Sequence, residues 1–272
     1  MKKTRHAFVV SAFVVVIMTP AVAAADGWDF LVGAGVASIP VYDGAGDRMI
    51  APIPRVEVTY SRGPLEVIGS LSDGLELSYF SPGSSTVGSV AVREGVTRNP
   101  NGYETFFGRR DFEADNRALL AVSGSRRGTV ELDATLGVVT SIGVFGTTVG
   151  FRPTESDERD YDGMIYSVLY GRNMPVSWRL NLETAVVLQA MNGNYADAWY
   201  SVPESVSPGE EFFADGGLQL TRLVVKGSYL ITPHIGLSLQ LMEAILLGDA
   251  RRSPLVEDPA QLAMIAGAFY RF

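Results

Sequence analysis

Residues that commonly carry out catalysis are scarce in this sequence. It contains two histidines, His6 and His234, and no cysteine. A serine hydrolase needs a histidine within hydrogen-bond reach of its nucleophile, and His234 instead follows Pro233 in a predicted tight turn. A single histidine outside the N-terminal leader also provides no cluster for zinc. We therefore predict a protein that is not an enzyme and holds neither a cofactor nor a metal ion.

Charged residues alternate with apolar ones in two segments that are predicted strands. Glu131 and Asp133 occur in residues 130–140, and Arg179 and Glu183 occur in residues 178–188. A strand directs alternate side chains to opposite faces, so these charges require water on one face while the other face is apolar. A membrane β-barrel meets both needs, with a polar lumen and an apolar exterior. In such a lumen the four charges could tune a pore or could close it by pairing, and we favour pairing.

The last residues of the chain have the pattern of a closing barrel strand. In residues 261–272, every second residue from Leu262 to Phe272 is apolar or aromatic, and the sequence ends on that phenylalanine. An apolar band with aromatic residues at its edge is typical of strands in bacterial outer-membrane barrels. We therefore predict that Tyr270 and Phe272 serve assembly and closure of the barrel.

Similar alternation recurs along the chain and predicts an all-β fold, an antiparallel transmembrane barrel of about 12 strands. Residues 65–80 count as a single bulged strand, because an even number is expected. With both chain ends in the periplasm, the long connection at residues 98–115 would also be periplasmic. Its aromatic and basic side chains are the predicted partner contacts, namely Tyr103, Phe106, Phe107, Arg109 and Arg110.

The N-terminus has the three parts of a secretory signal peptide. Lys2, Lys3 and Arg5 precede an apolar core, and small residues lead to a predicted cleavage site after Ala25. Residues 26–272 then form one barrel domain in the outer membrane of a Gram-negative cell, in contact with its lipid. The whole chain has a formal charge of −8. This acidic balance argues against a nucleic-acid partner.

Two parts of the chain resemble the MipA/OmpV family of MltA-interacting outer-membrane proteins. The C-terminal segment LLGDARRSPLVEDPAQLAMIAGAFYRF carries the family's Leu-Leu-Gly-Asp-Ala run at 246–250, its Ser-Pro pair at 253–254, and the closing Gly267, Tyr270 and Phe272. The segment at 33–60 is similar to the family's opening, with Pro40, Tyr42 and other positions in place. The segment at 199–202 departs from the family pattern.

The resemblance implies a scaffold that links a lytic murein transglycosylase to a murein synthase, and it brings no catalytic residues. Two functions are therefore expected. The first is a non-enzymatic adaptor for enzymes of peptidoglycan synthesis and hydrolysis, contacted through residues 98–115. The alternative is a narrow outer-membrane pore or solute channel, lined by charges such as Glu131 and Glu183.

Overall fold

The computed structural model describes residues 26–272 except 82, 96, 99–102, 106–107, 111–125, 157–159 and 204–210. The predicted signal peptide at residues 1–25 lies outside the described residues and stays a prediction. The strand predicted at 118–123 also lies outside them.

The described residues contain strands that follow the predicted alternation closely. They are β1 (Gly27–Pro40), β2 (Arg48–Arg62), β3 (Leu65–Ser70), β4 (Gly74–Ser81), β5 (Thr86–Glu94), β6 (Thr97–Arg98), β7 (Tyr103–Thr105), β8 (Gly108–Arg110), β9 (Arg126–Gly128), β10 (Val130–Thr140), β11 (Gly143–Ser156), β12 (Tyr161–Pro175), β13 (Leu180–Met191), β14 (Gly217–Leu230), β15 (Ile235–Leu246) and β16 (Ala260–Arg271). Two short helices, α1 (Gly193–Tyr200) and α2 (Gly248–Arg252), lie in connections.

Twelve of these strands form a closed antiparallel ring, which confirms the predicted fold class. The order is β10-β5-β4-β3-β2-β1-β16-β15-β14-β13-β12-β11, and β10 pairs with β11 to close it. The first and last strands form the seam, where Leu31 pairs with Arg271 and Ser38 with Met264. Strand β9 pairs with the Thr154–Ser156 end of β11, and β6 pairs with β9. Strands β7 and β8 form a separate hairpin.

The exterior of the ring is apolar, and the interior carries the polar residues. Large apolar side chains project outward from neighbouring strands, including Trp28, Ile50, Leu136 and Leu237, which are between 48% and 69% exposed. Closure pairs the backbone groups of neighbouring strands, as the hydrocarbon layer requires, because each unpaired group there costs several kcal/mol. The ring therefore has the apolar exterior and closed sheet of a membrane-spanning β-barrel.

None of the helices among the described residues is long and apolar enough to cross a membrane.

The number of strands was predicted correctly, but the boundaries that gave the number were not. Residues 65–80 form two strands, β3 and β4, joined by a tight turn in which Gly74 has a φ of +79°. The ring of described strands has an even number because β5 pairs directly with β10.

This difference reverses the side on which residues 98–115 emerge. With β3 and β4 counted separately, β5 runs away from the end of the barrel that carries both chain termini. The connection after β5 therefore lies at the opposite end, with the connections that hold α1 and α2. Outer-membrane barrels have short periplasmic turns and longer external loops, so this end is external and the terminal end is periplasmic.

Candidate functional site

A cluster of four charged side chains lies on the lumen face of β5, β10 and β11. Arg152 Nε lies 3.0 Å from Glu131 Oε2, and Arg152 Nη2 lies 2.6 Å from Asp133 Oδ1. Arg93 Nη2 lies 2.6 Å from Asp133 Oδ2. Gly150 stands opposite Asp133, where a Cβ would approach Oδ1 to 2.5 Å, so this glycine leaves room for the Arg152 guanidinium. Two positive and two negative charges balance within this largely buried group.

The periplasmic half of the lumen carries ion pairs that water can reach. Lys226 Nζ lies 3.2 Å from Glu183 Oε2, and Arg55 Nη2 lies 3.3 Å from Glu57 Oε2. These four side chains keep between 14% and 30% of their surface exposed. The barrel is thus accessible to solvent from the end that carries the termini.

The external half of the lumen is filled by residues from three connections, which we call the plug. These residues come from the β1–β2, β13–β14 and β15–β16 connections, and they pack against one another and the strands with little or no exposure. The plug consists of Tyr42, Ala45, Tyr195, Ala196, Tyr200, Val202, Ala214, Ala250 and Leu255. These residues are almost fully buried, so water has little access to the part of the lumen that they occupy.

Hydrogen bonds join the three connections within the plug. The Tyr42 hydroxyl donates to the Leu255 carbonyl at 3.1 Å, and the Ser253 hydroxyl donates to the Tyr200 carbonyl at 2.6 Å. The Gln219 amide donates to the Tyr200 hydroxyl at 3.0 Å. Burial raises the pKa of Tyr42 and Tyr200 well above the usual range, so both hydroxyls stay neutral.

Two arginines hold the C-terminal end of α1 in the plug. Arg98 Nη1 donates to the Trp199 carbonyl at 2.7 Å, and Arg126 Nε donates to the Ala198 carbonyl at 2.8 Å. The last carbonyls of a helix lack partners within it and carry partial negative charge, so guanidinium groups satisfy them well. Burial and the neighbouring Arg126 lower the pKa of Arg98 to about 10, which leaves it protonated at neutral pH.

The structure places the four predicted lumen residues in different surroundings. Glu131, Asp133 and Glu183 lie on the lumen face, and each has a cationic partner. Arg179 does not line the lumen. It lies exposed in the turn between β12 and β13, with its guanidinium 4.2 Å from the Trp178 ring centroid. Strand β13 begins at Leu180, one residue after Arg179, because Ser177 Oγ accepts hydrogen bonds from the Arg179 and Leu180 N–H groups and stabilises the turn.

The residues predicted to close the barrel lie at the seam. Tyr270 pairs with Val32 of β1, and the Phe272 N–H donates to the Phe30 carbonyl at 3.0 Å. The rings of Tyr270 and Phe272 meet edge to face with centroids 4.8 Å apart. The role of these residues in assembly stays a prediction.

The connection that holds the residues predicted to contact a periplasmic partner leaves β5 at the external end. Tyr103, Arg109 and Arg110 belong to the backbone hairpin of β7 and β8, and Phe106 and Phe107 lie outside the described residues. The expected periplasmic position of this segment was wrong, because it depended on counting residues 65–80 as one strand.

Sequence reasoning missed the partners of the lumen carboxylates. Arg152 was assigned to a loop, and Arg93 and Lys226 were not singled out. The alternation of β14 would have placed Lys226 on the lumen face. Only the register between β13 and β14 shows that it lies opposite Glu183.

The described residues provide no metal site and no histidine constellation. They contain no group of three or more His, Cys, Asp or Glu side chains able to hold a metal ion. His234 lies in the turn between β14 and β15, where its Nδ1 lies 2.9 Å from the Arg271 carbonyl and its ring stacks on Tyr270. This histidine supports the seam from the periplasmic end.

Comparison with known proteins gives one family match. The model of the family described as MltA-interacting protein MipA matches residues 32–272. No curated protein sequence matches the chain.

Solved outer-membrane proteins match at low identity. The chain is 8% identical to OmpT of Vibrio cholerae, with 90% of this chain and 97% of that chain covered and a TM-score of 0.39. It is 12% identical to the translocator domain of the autotransporter NalP from Neisseria meningitidis, with 92% and 90% covered and a TM-score of 0.43. A NanC porin structure is 9% identical, with 89% and 98% covered and a TM-score of 0.41.

Proposed function

The chain belongs to the MltA-interacting protein family MipA, and from that membership we propose that this outer-membrane β-barrel is a non-enzymatic scaffold for murein enzymes. It would hold a lytic murein transglycosylase, and with it a murein synthase, at the inner surface of the outer membrane. The observation that carries the proposal is the asymmetry of the lumen, which is plugged externally and accessible from the periplasmic end.

The asymmetry favours a partner in the periplasm over a solute passing through. Tyr200 and Val202 of the plug are 2% and 0% exposed, whereas Arg55 and Glu57 at the other end are each 30% exposed. Murein and the enzymes that act on it lie on the periplasmic side. A barrel that is closed outside and open inside presents the accessible polar side chains of its described lumen to them.

The turn between β12 and β13 is a prominent candidate for a protein contact at the periplasmic end. Val176 is 59% exposed and Trp178 is 69% exposed, and Arg179 stacks on that indole. Exposed tryptophan and arginine are the residue types most enriched among strong contributors to protein interfaces. We propose this turn, with the Glu183–Lys226 pair beside it, as the partner contact.

Capture of a purified lytic murein transglycosylase by the detergent-solubilised barrel tests the proposal. A variant with Val176→Ser, Trp178→Ser and Arg179→Ser should bind it roughly tenfold or more weakly, as expected when a buried aromatic anchor is lost. The matched control is Tyr103→Ser, Arg109→Ser and Arg110→Ser at the external end, which should bind like the parent chain. Unchanged capture by the first variant, or loss of capture by the control alone, would overturn this assignment.

A narrow pore is the second candidate, and the charged periplasmic half of the lumen is the observation in its favour. Against it stands the plug, which fills the other half. In planar bilayers the parent chain should therefore show no single-channel steps. Regular conductance steps from the folded barrel would favour the pore over the scaffold.

A further inference from the structure

Among the described residues, the wall of the barrel is incomplete on one side of its external half. Strand β2 pairs with β1 along its whole length, from Ser61 opposite Gly27 to Arg48 opposite Pro40. On its other edge it pairs with β3 only from Arg62 to Glu57, and the last backbone bond runs from the Leu71 N–H to the Val56 carbonyl at 3.0 Å. Among the described residues, no strand pairs with the edge at 48–55, which we call the free edge.

The free edge is almost without hydrogen-bond donors. Backbone groups alternate in direction along a strand, so Pro54, Pro52 and Ile50 point toward the open side, as Val56 does. Proline has no N–H, and proline within sheets is confined to edges where no donor is needed. Another strand could therefore add to this edge only with several bonds missing, so the prolines act against pairing with another polypeptide.

The tip of the β3–β4 hairpin forms the lower border of the opening and bonds most of its own polar groups, while Asp73 Oδ1 has no hydrogen-bond partner among the described residues. Ser70 Oγ donates to Asp73 Oδ2 at 2.8 Å, and Ser72 Oγ donates to the same oxygen at 2.7 Å. Leu71 at the tip is 60% exposed and Leu75 below it is 55% exposed. Exposed leucines beside an internally bonded turn fit a position against hydrocarbon and not against water.

The lumen surface behind the opening is apolar. Three side chains of the free edge point inward. Ala51 is buried, and Met49 and Ile53 pack against a cluster of residues from β1, β15 and β16. The other members of this cluster are Ala37, Ile39, Met242, Ala263 and Ile265. Below this level the inward residues of β2 become Arg55 and Glu57. The change from charged to apolar lining coincides with the level at which the wall opens.

We propose that this opening is a lateral portal through which an acyl chain of an outer-leaflet lipid reaches the apolar lining of the lumen. An acyl chain offers no hydrogen bonds, and the two prolines remove backbone donors that would otherwise stay unpaired against it, which lowers the cost of leaving this border open to lipid. A water-soluble ligand fits poorly, because the lining behind the opening is apolar and the portal faces lipid. The proposal does not depend on the scaffold function.

Quenching of a lumen probe by brominated lipid tests the portal. The chain has no cysteine, so single cysteines can carry bimane at chosen sites. The test site is Ile53→Cys inside the portal, Val56→Cys on the outer face of the same strand is the lipid-exposed reference, and Thr148→Cys on the lumen face of a fully paired wall is the enclosed reference. Each barrel is folded into phosphatidylcholine vesicles brominated on the acyl chain.

The portal predicts that bimane at position 53 loses fluorescence nearly as strongly as bimane at 56, while bimane at 148 keeps its fluorescence. Quenching at 53 as low as at 148 would overturn the proposal. A second variant lengthens each strand of the β3–β4 hairpin by eight residues, the length of the free edge, and carries Pro52→Val and Pro54→Val, which restores donors and lets the hairpin pair along residues 48–55. Once heat-modifiable migration shows it folded, this variant should protect position 53, and persistent quenching there would contradict the portal.

Discussion

Arg152 is the residue on which the buried charges of the lumen wall depend. It bonds both Glu131 and Asp133, which are each 7% exposed, and Arg93 is a second described cation that contacts Asp133. Arg152→Ala would remove from both carboxylates a cation that each of them contacts in a region of low dielectric. We predict a loss of about 3–5 kcal/mol in the free energy of unfolding, measured by urea titration of the barrel in detergent or lipid.

A matched change at an accessible pair provides the control. Arg55→Ala breaks the Arg55–Glu57 pair, whose members are each 30% exposed, and should cost about 1 kcal/mol or less. Equal losses for the two variants would contradict the view that burial makes Arg152 the more costly residue to remove.

For single residues, the sequence predicted which face of a strand a side chain occupies, but it did not predict which side chain it contacts. Alternation alone placed Glu131 and Asp133 toward the lumen, because neighbouring residues of a strand must face opposite sides. Their partners come from β5 and β11, and only the register between strands brings those residues within bonding distance. Arg179 failed for a related reason, since a turn held by Ser177 delays the start of β13 to Leu180, two residues after the start that the pattern indicated.

The plug is the element that decides whether the lumen conducts. Its three connections are tied together by buried bonds, including those from Ser253 and Gln219 to Tyr200. Replacing residues 193–216 with a short Gly-Ser turn removes α1 and the Tyr200 contacts. We predict that this variant shows single-channel conductance in planar bilayers, because an emptied barrel of this size leaves room for water.

A substitution in the periplasmic turn, Thr232→Ala, is the control and should remain silent. A silent deletion variant that still migrates as a folded barrel would show that other residues close the lumen. Such a result would place the constriction of the lumen outside the plug.

The hairpin of β3 and β4 shows why strand boundaries were harder to predict than strand number. Residues 65–80 alternate on both sides of Ser72-Asp73-Gly74, so periodicity fits one bulged strand as well as two short strands. The positive φ of Gly74 settles the turn, and the sequence marks it only by an Asp-Gly pair. The place of Pro52 and Pro54 on an edge with no described partner strand could be learned only from the topology.

For the whole molecule, the seam between β1 and β16 is the step that completes the barrel. The Phe272 N–H extends the seam to the Phe30 carbonyl, and its ring packs on Tyr270. We predict that deleting Phe272 lowers the fraction of chains that assemble into heat-modifiable barrels in the outer membrane. Barrels that do assemble should keep nearly the stability of the parent chain, because one terminal bond contributes only about 1 kcal/mol.

Phe272→Tyr is the matched control, since it keeps the aromatic ring and the backbone bond. Equal assembly of the deletion variant and the parent chain would show that the terminal residue has no role in assembly.

Glycines at this seam carry a consequence for the time course of folding. A Cβ at Gly33 or Gly35 would come within 2.4 or 2.5 Å of a carbonyl of β16, so these positions let the first and last strands approach closely. The contact between Asp29 and Arg271 joins residues 242 apart in the chain, and closing a flexible loop of that length costs about 5 kcal/mol in entropy. The seam should therefore form last, and until then two long edges stay open to wrong pairing. The pairing of the first strand with the last thus affects the speed and fidelity of folding more than the stability of the finished barrel.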